Sequence, residues 1–241
     1  MGIDTKQLLR ICLFCISFSG LYSSSFGQDY PKDSPVIGFS SRHGMMVDIN
    51  QTDSLDFNAF VNDPYIDEHY KIFEDGPQME SELSRQYPGI FKKTNGGYIF
   101  PIANGDTLRL KKITKEENLK GMMDYKFISQ FENFTVIYAD GYEWWGYYLV
   151  DLNGKTNYCL PGEPKFNSYT KTVISWANYY GDSDLSIIDF EHDHDCMITF
   201  YNFEIEEFKT NSAGIVLKLV NYGDSSFPKI YYRISWAKFM R

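Results

Sequence analysis

From Gly96 onward, runs of Val, Ile, Tyr and Phe alternate with Asn-Gly and Gly-Asp turns, a pattern that admits short antiparallel strands and little else. YYLVDLNGKTNYCLP, Tyr147 to Pro161, is an apolar run, a turn at Asn153-Gly154 and a second apolar run. The outline repeats. Val136 in FTVIY answers to Val173 in KTVIS, 37 residues on, and to Val216 in GIVLKL, a further 43; Leu149 answers to Ile187 after 38 and to Tyr231 after another 44. An earlier copy fits GYIFPI at Gly97 and DTLRLKK at Asp106. Four units of about 40 residues, each a few short strands, have the period of β-propeller blades. The expected fold is mainly β, a propeller-like array of about four small antiparallel sheets over 96–241; a β-sandwich of the same hairpins is the alternative.

Two short helices are expected before the array, within 63–95. Asp63 can cap, Pro64 suits a first turn, and Tyr65, Ile66, His69, Tyr70 and Phe73 recur at helical spacing until Gly76. Pro77 opens a second helix with Met79 and Leu83 on one face, and Pro88-Gly89 ends it. Residues 28–62 are polar, with little periodicity, and read as a loosely ordered lead-in.

Residues 1–27 read as a secretory signal: Lys6 and Arg10, then the apolar ICLFCISFSGLY, then small residues up to Gly27. The apolar run is shorter than the roughly 20 residues that a membrane span needs. The expected destination is the periplasm or the medium, with no membrane insertion after signal removal. Loss of Lys6, Arg10 and Asp4 from 23 basic and 32 acidic residues takes the net charge from −9 to −10, which disfavours nucleic acid and anionic lipid as partners. Cys159 and Cys196 remain, too few for a disulfide-stapled scaffold. Their nearly equivalent places in consecutive units predict that they stay unpaired with each other.

QYPGIFKKTNGGYIFPIANGDTLRL, YYLVDLNGKTNYCLPGEPKF and KTVISW with LSIIDF together resemble a group of exported bacterial proteins built from propeller-like repeats. The unit of that group runs apolar strand, Asp, turn, Pro, Phe, Ser-Pro-Asp-Gly-Lys, apolar strand. The resemblance covers about Gln86 to Phe190; PKFNSYTK, Pro164 to Lys171, keeps Pro, Phe and Lys but has Asn-Ser-Tyr-Thr in place of Ser-Pro-Asp-Gly. It implies a fold and no activity.

Two segments carry chemistry. In EHDHDC, strand alternation would put His192, His194 and Cys196 on one face, ligands that zinc or copper accept. The segment nevertheless falls where Asn153, Gly154 and Lys155 make a turn one unit earlier, and turns favour Asp for their own hydrogen bonds, so a hairpin turn without metal or cofactor is the expected reading. DGYEWWGYY and SWANYYGDSD occupy equivalent loops, each rich in rings beside acids. Trp144, Trp145, Trp176, Tyr179 and Tyr180 are the candidate binding residues, because flat rings cover the apolar face of a pyranose while carboxylates take its hydroxyls; filling space between twisted sheets is the competing role. No Gly-x-Ser-x-Gly elbow, His-Glu-x-x-His pair, phosphate loop or calcium loop is present. Glu143 with Asp182 or Asp184 is the available acid and base pair for a weak glycoside hydrolase. The run EIEEF, Glu204 to Phe208, reads as a charged sheet edge. The function expected is an exported, non-enzymatic interaction module whose partner is a protein or a glycan; a glycan-binding protein or weak glycoside hydrolase is the alternative.

Overall fold

A computed structural model of the protein describes residues 35–42, 45, 47–62, 71–72, 76–102, 105–113, 123–141, 145–154, 156–167 and 170–236. In chain order the elements are β1 (Val36–Arg42), β2 (Val47–Thr52), α1 (Ser54–Ala59), β3 (Lys71–Ile72), α2 (Gly76–Gln86), β4 (Lys92–Thr94), β5 (Gly97–Pro101) and β6 (Thr107–Lys111). They are followed by β7 (Met123–Phe131), β8 (Phe134–Gly141), β9 (Trp145–Asp151), β10 (Asn157–Leu160), β11 (Lys165–Asn167) and β12 (Thr172–Tyr179). β13 (Asp182–Asp189), β14 (His194–Tyr201), β15 (Phe203–Asn211), β16 (Gly214–Asn221) and β17 (Ile230–Trp236) complete the chain.

These strands form four small antiparallel sheets, a propeller-like array. The first sheet is β4-β5-β6; the second is β3-β7-β8-β9-β10; the third is β11-β12-β13-β14-β1; the fourth is β15-β16-β17-β2. Within each sheet the consecutive strands run as a meander. Strands from earlier in the chain are added at the edges, β3 beside β7, β1 beside β14 and β2 beside β17.

The sheets stack in chain order, because successive residues of a strand point to opposite faces and both faces of an inner sheet must be apolar. Ile137 and Val150 of the second sheet pack with Phe100 and Leu110 of the first and with Met79 and Leu83 of α2. Their neighbours Val136 and Leu149 face the other way, onto Val173 and Ile188 of the third sheet. The next residues there, Ile174 and Ile187, face the fourth sheet and meet Ile215, Leu217 and Ile234. Each of these side chains is almost wholly removed from water, which contributes roughly 1.5–3 kcal/mol apiece. The same alternation corrects the repeat register by one residue: the counterpart of Val136 is Ile174, since Val173 faces the preceding sheet.

The ends of the array are finished differently. The outer face of the first sheet is polar, with Lys92, Arg109 and Lys111 exposed. On the outer face of the fourth sheet, Val216 and Tyr231 are covered by Phe57 of α1 and by Phe60, the residue that caps its C-terminus. That helix is fixed by the Asp53 carboxylate, which accepts from the Leu55 and Asp56 amides, and by the Arg233–Asp56 ion pair. Among the described residues no core cluster joins the first sheet to the fourth. An array with such caps buries its inner faces without closing into a ring.

Several expectations are corrected. Four stacked sheets replace the alternative of a two-sheet sandwich. The supposed loose lead-in, 28–62, contributes β1, β2 and α1 from its described residues; Met45, between β1 and β2, is buried in the core where the third and fourth sheets meet. Its sequence looks polar because β2 is an edge strand that alternates half-buried and exposed residues over a short length. Of the helix expected from Asp63 to Gly76, Lys71–Ile72 form β3 and the other residues before Gly76 lie outside the described residues, as does the signal at 1–27. The second helix is α2, with Met79 and Leu83 buried as its spacing predicts. The turn around Asn153-Gly154 is wider than a two-residue hairpin: Asp151 N–H donates to Thr156 O, the Asp151 carboxylate accepts from Asn153 N–H, and Leu152 is drawn into the core between the first two sheets. Gly154 supplies the positive φ, 71°, that this turn requires. The EIEEF run lies in edge strand β15 with a bulge between Ile205 and Glu207, and Glu206 pairs with Lys218 and Lys229. Among the described residues no helix is long and apolar enough to cross a membrane.

Candidate functional site

The hairpins β8–β9, β12–β13 and β16–β17 each join the second and third meander strands of their sheets, so their turns come out at one end of the stack. Two of them close on an acid paired with a ring. In β8–β9 the last pair is Asp140 with Trp145, and in β12–β13 it is Tyr179 with Asp182, the order reversed. Residues so paired have β-carbons about 5 Å apart.

Stacking of the sheets then brings the hairpins together. The Trp145 ring lies 5.3 Å from that of Tyr179, tilted by 40°, across the gap between the second and third sheets. The Tyr179 hydroxyl donates to the Pro161 carbonyl, 2.5 Å away, which fixes that ring in place. Burial is the main reason its ionisation is pushed far above the usual phenol range, and the Asp184 charge adds to it. Behind Trp145, Tyr147 pairs with Tyr138 across β8–β9, their rings 5.1 Å apart.

Tyr180 and Gly181 form the two-residue turn of β12–β13 with positive φ at both, 49° and 97°. A bulky side chain rarely adopts that backbone, and here it leaves Tyr180 85 % exposed. Gly181 is needed for a second reason. Tyr222, the first residue after β16, lays its ring on it, and a β-carbon at 181 would stand 2.6 Å from Tyr222 Cδ1. Tyr222 itself is 61 % exposed. Trp145, Tyr180 and Tyr222 thus display one ring from each of three consecutive sheets.

The sequence candidates separate accordingly. Trp145, Tyr179 and Tyr180 come together in this row. Trp176 does not: it points to the opposite face of the third sheet, against the core shared with the fourth, with its ring 4.2 Å from Phe208. Trp144 lies outside the described residues. Tyr222 was not among the candidates, although it follows Tyr180 by 42 residues, one repeat.

Glu191, His192 and Asp193 of EHDHDC lie in the β13–β14 turn, and His194, Asp195 and Cys196 open β14. The Asp189 carboxylate accepts from the Glu191 and His192 amides and lies 2.7 Å from His192 Nδ1, and Asp193, at φ 54°, accepts from the Tyr158 hydroxyl. The His192 and His194 rings stack 6.0 Å apart across the end of the turn, and His194 alternates with Cys196 along β14. Cys196 is buried in the core between the third and fourth sheets, where desolvation pushes its thiol up to about 12. Among the described residues no three His, Cys, Asp or Glu side chains gather as metal ligands do.

The carboxylates considered for catalysis carry structural bonds. Asp184 is buried and accepts from Thr199 Oγ1 at 2.6 Å, and Asp182 accepts from the Asn202 amide at 2.8 Å. Glu143 lies outside the described residues. A shallow depression between the first two sheets, lined by Pro88, Ile90, Pro101, Ile102 and Leu152, has no charged side chain on its walls and lies by the β9–β10 turn, at the other end of β9 from Trp145. Comparison of the chain with family models, curated proteins and solved structures yields no match.

Proposed function

We propose that the protein is an exported, non-enzymatic interaction module that meets its partner on the aromatic row at the hairpin end of the array. The observation that carries this reading is the placement of Trp145, Tyr180 and Tyr222, exposed rings on equivalent turns of three consecutive sheets. Of the large apolar side chains exposed among the described residues, the other three, Phe39, Leu55 and Val61, belong to β1, to α1 and to the segment after α1, not to these turns. Scattered exposure needs no explanation, whereas a contiguous aromatic row marks a binding surface. Export follows from the signal-like first 27 residues, and the resemblance to exported propeller-repeat proteins agrees with it. Non-enzymatic binding is preferred because Asp182 and Asp184 are engaged in holding the backbone and the core.

A photoreactive benzoylphenylalanine at position 180, and for comparison at Lys111 on the far face of the first sheet, tests the reading in exporting cells. The expected result is an adduct at 180 and none at 111. Equal labelling, or none at 180, contradicts it.

A further inference from the structure

We infer that the aromatic row takes an uncharged, linear polysaccharide, laid across the turns so that every second sugar meets a ring. The inference rests on the reading just given and specifies the partner's chemistry. Its first support is periodicity. Trp145, Tyr180 and Tyr222 come one from each sheet, and stacked sheets repeat at about 10 Å. A ligand with its own short repeat matches such a surface; extended pyranose chains advance by a comparable length every two sugars.

The second support is chemical. Pyranoses present flat C–H faces and equatorial hydroxyls, and the row offers flat rings with carboxylates next to them. Asp140 and Asp182 stand directly across their hairpins from Trp145 and Tyr179; Asp140 pairs with Lys126 at 3.9 Å and Asp182 accepts from the Asn202 amide, and each carboxylate keeps lone pairs for sugar hydroxyls. A carboxylate accepts hydrogen bonds from hydroxyls and repels anions, so a chain of net charge −9 favours a neutral polymer over uronic-acid or phosphate polymers. The third support is rigidity. Tyr179 is bonded to the Pro161 carbonyl and Tyr222 rests on Gly181, so part of the surface is ordered before the ligand arrives.

Native affinity electrophoresis tests this with gels containing hydroxyethylcellulose, a soluble β-1,3-glucan, a galactomannan or, as the charged control, alginate. The expected result is retardation by at least one neutral polymer and none by alginate. Tyr180→Ala, at an exposed turn position that cannot unfold the core, should weaken binding about tenfold, and Tyr222→Ala by a similar factor, while Phe39→Ala on β1 leaves it unchanged. No retardation by any neutral polymer, or retardation by alginate alone, overturns the polysaccharide assignment. So does retardation that survives both tyrosine substitutions. The cross-link at position 180 separates the two levels: a peptide adduct there with no glycan binding leaves the interaction surface standing and replaces its ligand, and absence of any adduct removes the surface as well.

Discussion

The rings of Trp145 and Tyr179 belong to different sheets and lie 5.3 Å apart, so the contact reports directly on how the second and third sheets are stacked. Trp145 is 39 % exposed, and its replacement by Ala should cost about 1 kcal/mol, the worth of an aromatic pair with limited burial. Trp176→Ala should cost more, about 2 kcal/mol, because that half-buried side chain packs against the core beside Phe208. Urea unfolding of the two variants checks the order.

Gly181→Ala should disturb the site more than the fold. The substitution strains a backbone at φ 97° and drives a methyl into the Tyr222 ring, while the buried strands behind it are untouched. A loss of about 1–2 kcal/mol is expected, with a changed near-ultraviolet circular dichroism and an unchanged far-ultraviolet spectrum.

Legibility in the sequence followed burial. The second and third sheets were visible because both of their faces are covered, which makes pairs such as Val136-Ile137 and Ile187-Ile188 apolar at consecutive positions. For the same reason the repeat register slipped at Val173: where every residue is apolar, alternation no longer says which face is which. β1 and β2 were missed because they are edge strands added to sheets whose other members lie more than 100 residues later, a pairing that no local pattern announces. At the site, Trp145, Tyr179 and Tyr180 were legible as ring-rich loops, but Trp176 was grouped with them since a strand residue's face cannot be read from composition. Tyr222 stood in a loop with a single ring, and only the stacking of the fourth sheet on the third puts it on Gly181.

In the chain starting at Gln28, thiol titration of the denatured, unreduced protein should find two free thiols. Cys159 is exposed on edge strand β10, whereas Cys196 is enclosed between the third and fourth sheets, so a whole sheet separates them. In the folded protein at neutral pH only Cys159 should react, since burial keeps the Cys196 thiol protonated.

The EHDHDC turn should depend on Asp189 and not on its histidines. Asp189→Ala removes the acceptor of two turn amides and should cost about 1–2 kcal/mol, while His192→Ala with His194→Ala should change stability by less than about 0.5 kcal/mol and leave metal content unaltered. Thermal melts and elemental analysis after dialysis read both.

Alkaline pH should destabilise the protein through its buried phenols. Burial raises the pKa of Tyr98, Tyr158 and Tyr179 above the unfolded value, with hydrogen bonds to Glu80 and Asp193 adding to the first two. Their contribution is therefore complete below about pH 10, where the unfolded phenol also holds its proton, and is lost as the pH rises through the folded-state values. The urea midpoint should fall from about pH 10 upward, less steeply in Tyr158→Phe than in the parent chain.

Hydroxyl-radical footprinting of the folded protein, read residue by residue by tandem mass spectrometry, bears most directly on the exposed aromatic row. Trp145, Tyr180 and Tyr222 should oxidise rapidly, the half-buried Trp176 more slowly, and the buried Tyr158 only once the protein is unfolded. Oxidation of Trp176 as fast as Trp145, or protection of Tyr180 and Tyr222 in the isolated chain, would contradict the stacking of the sheets and with it the surface built on their turns.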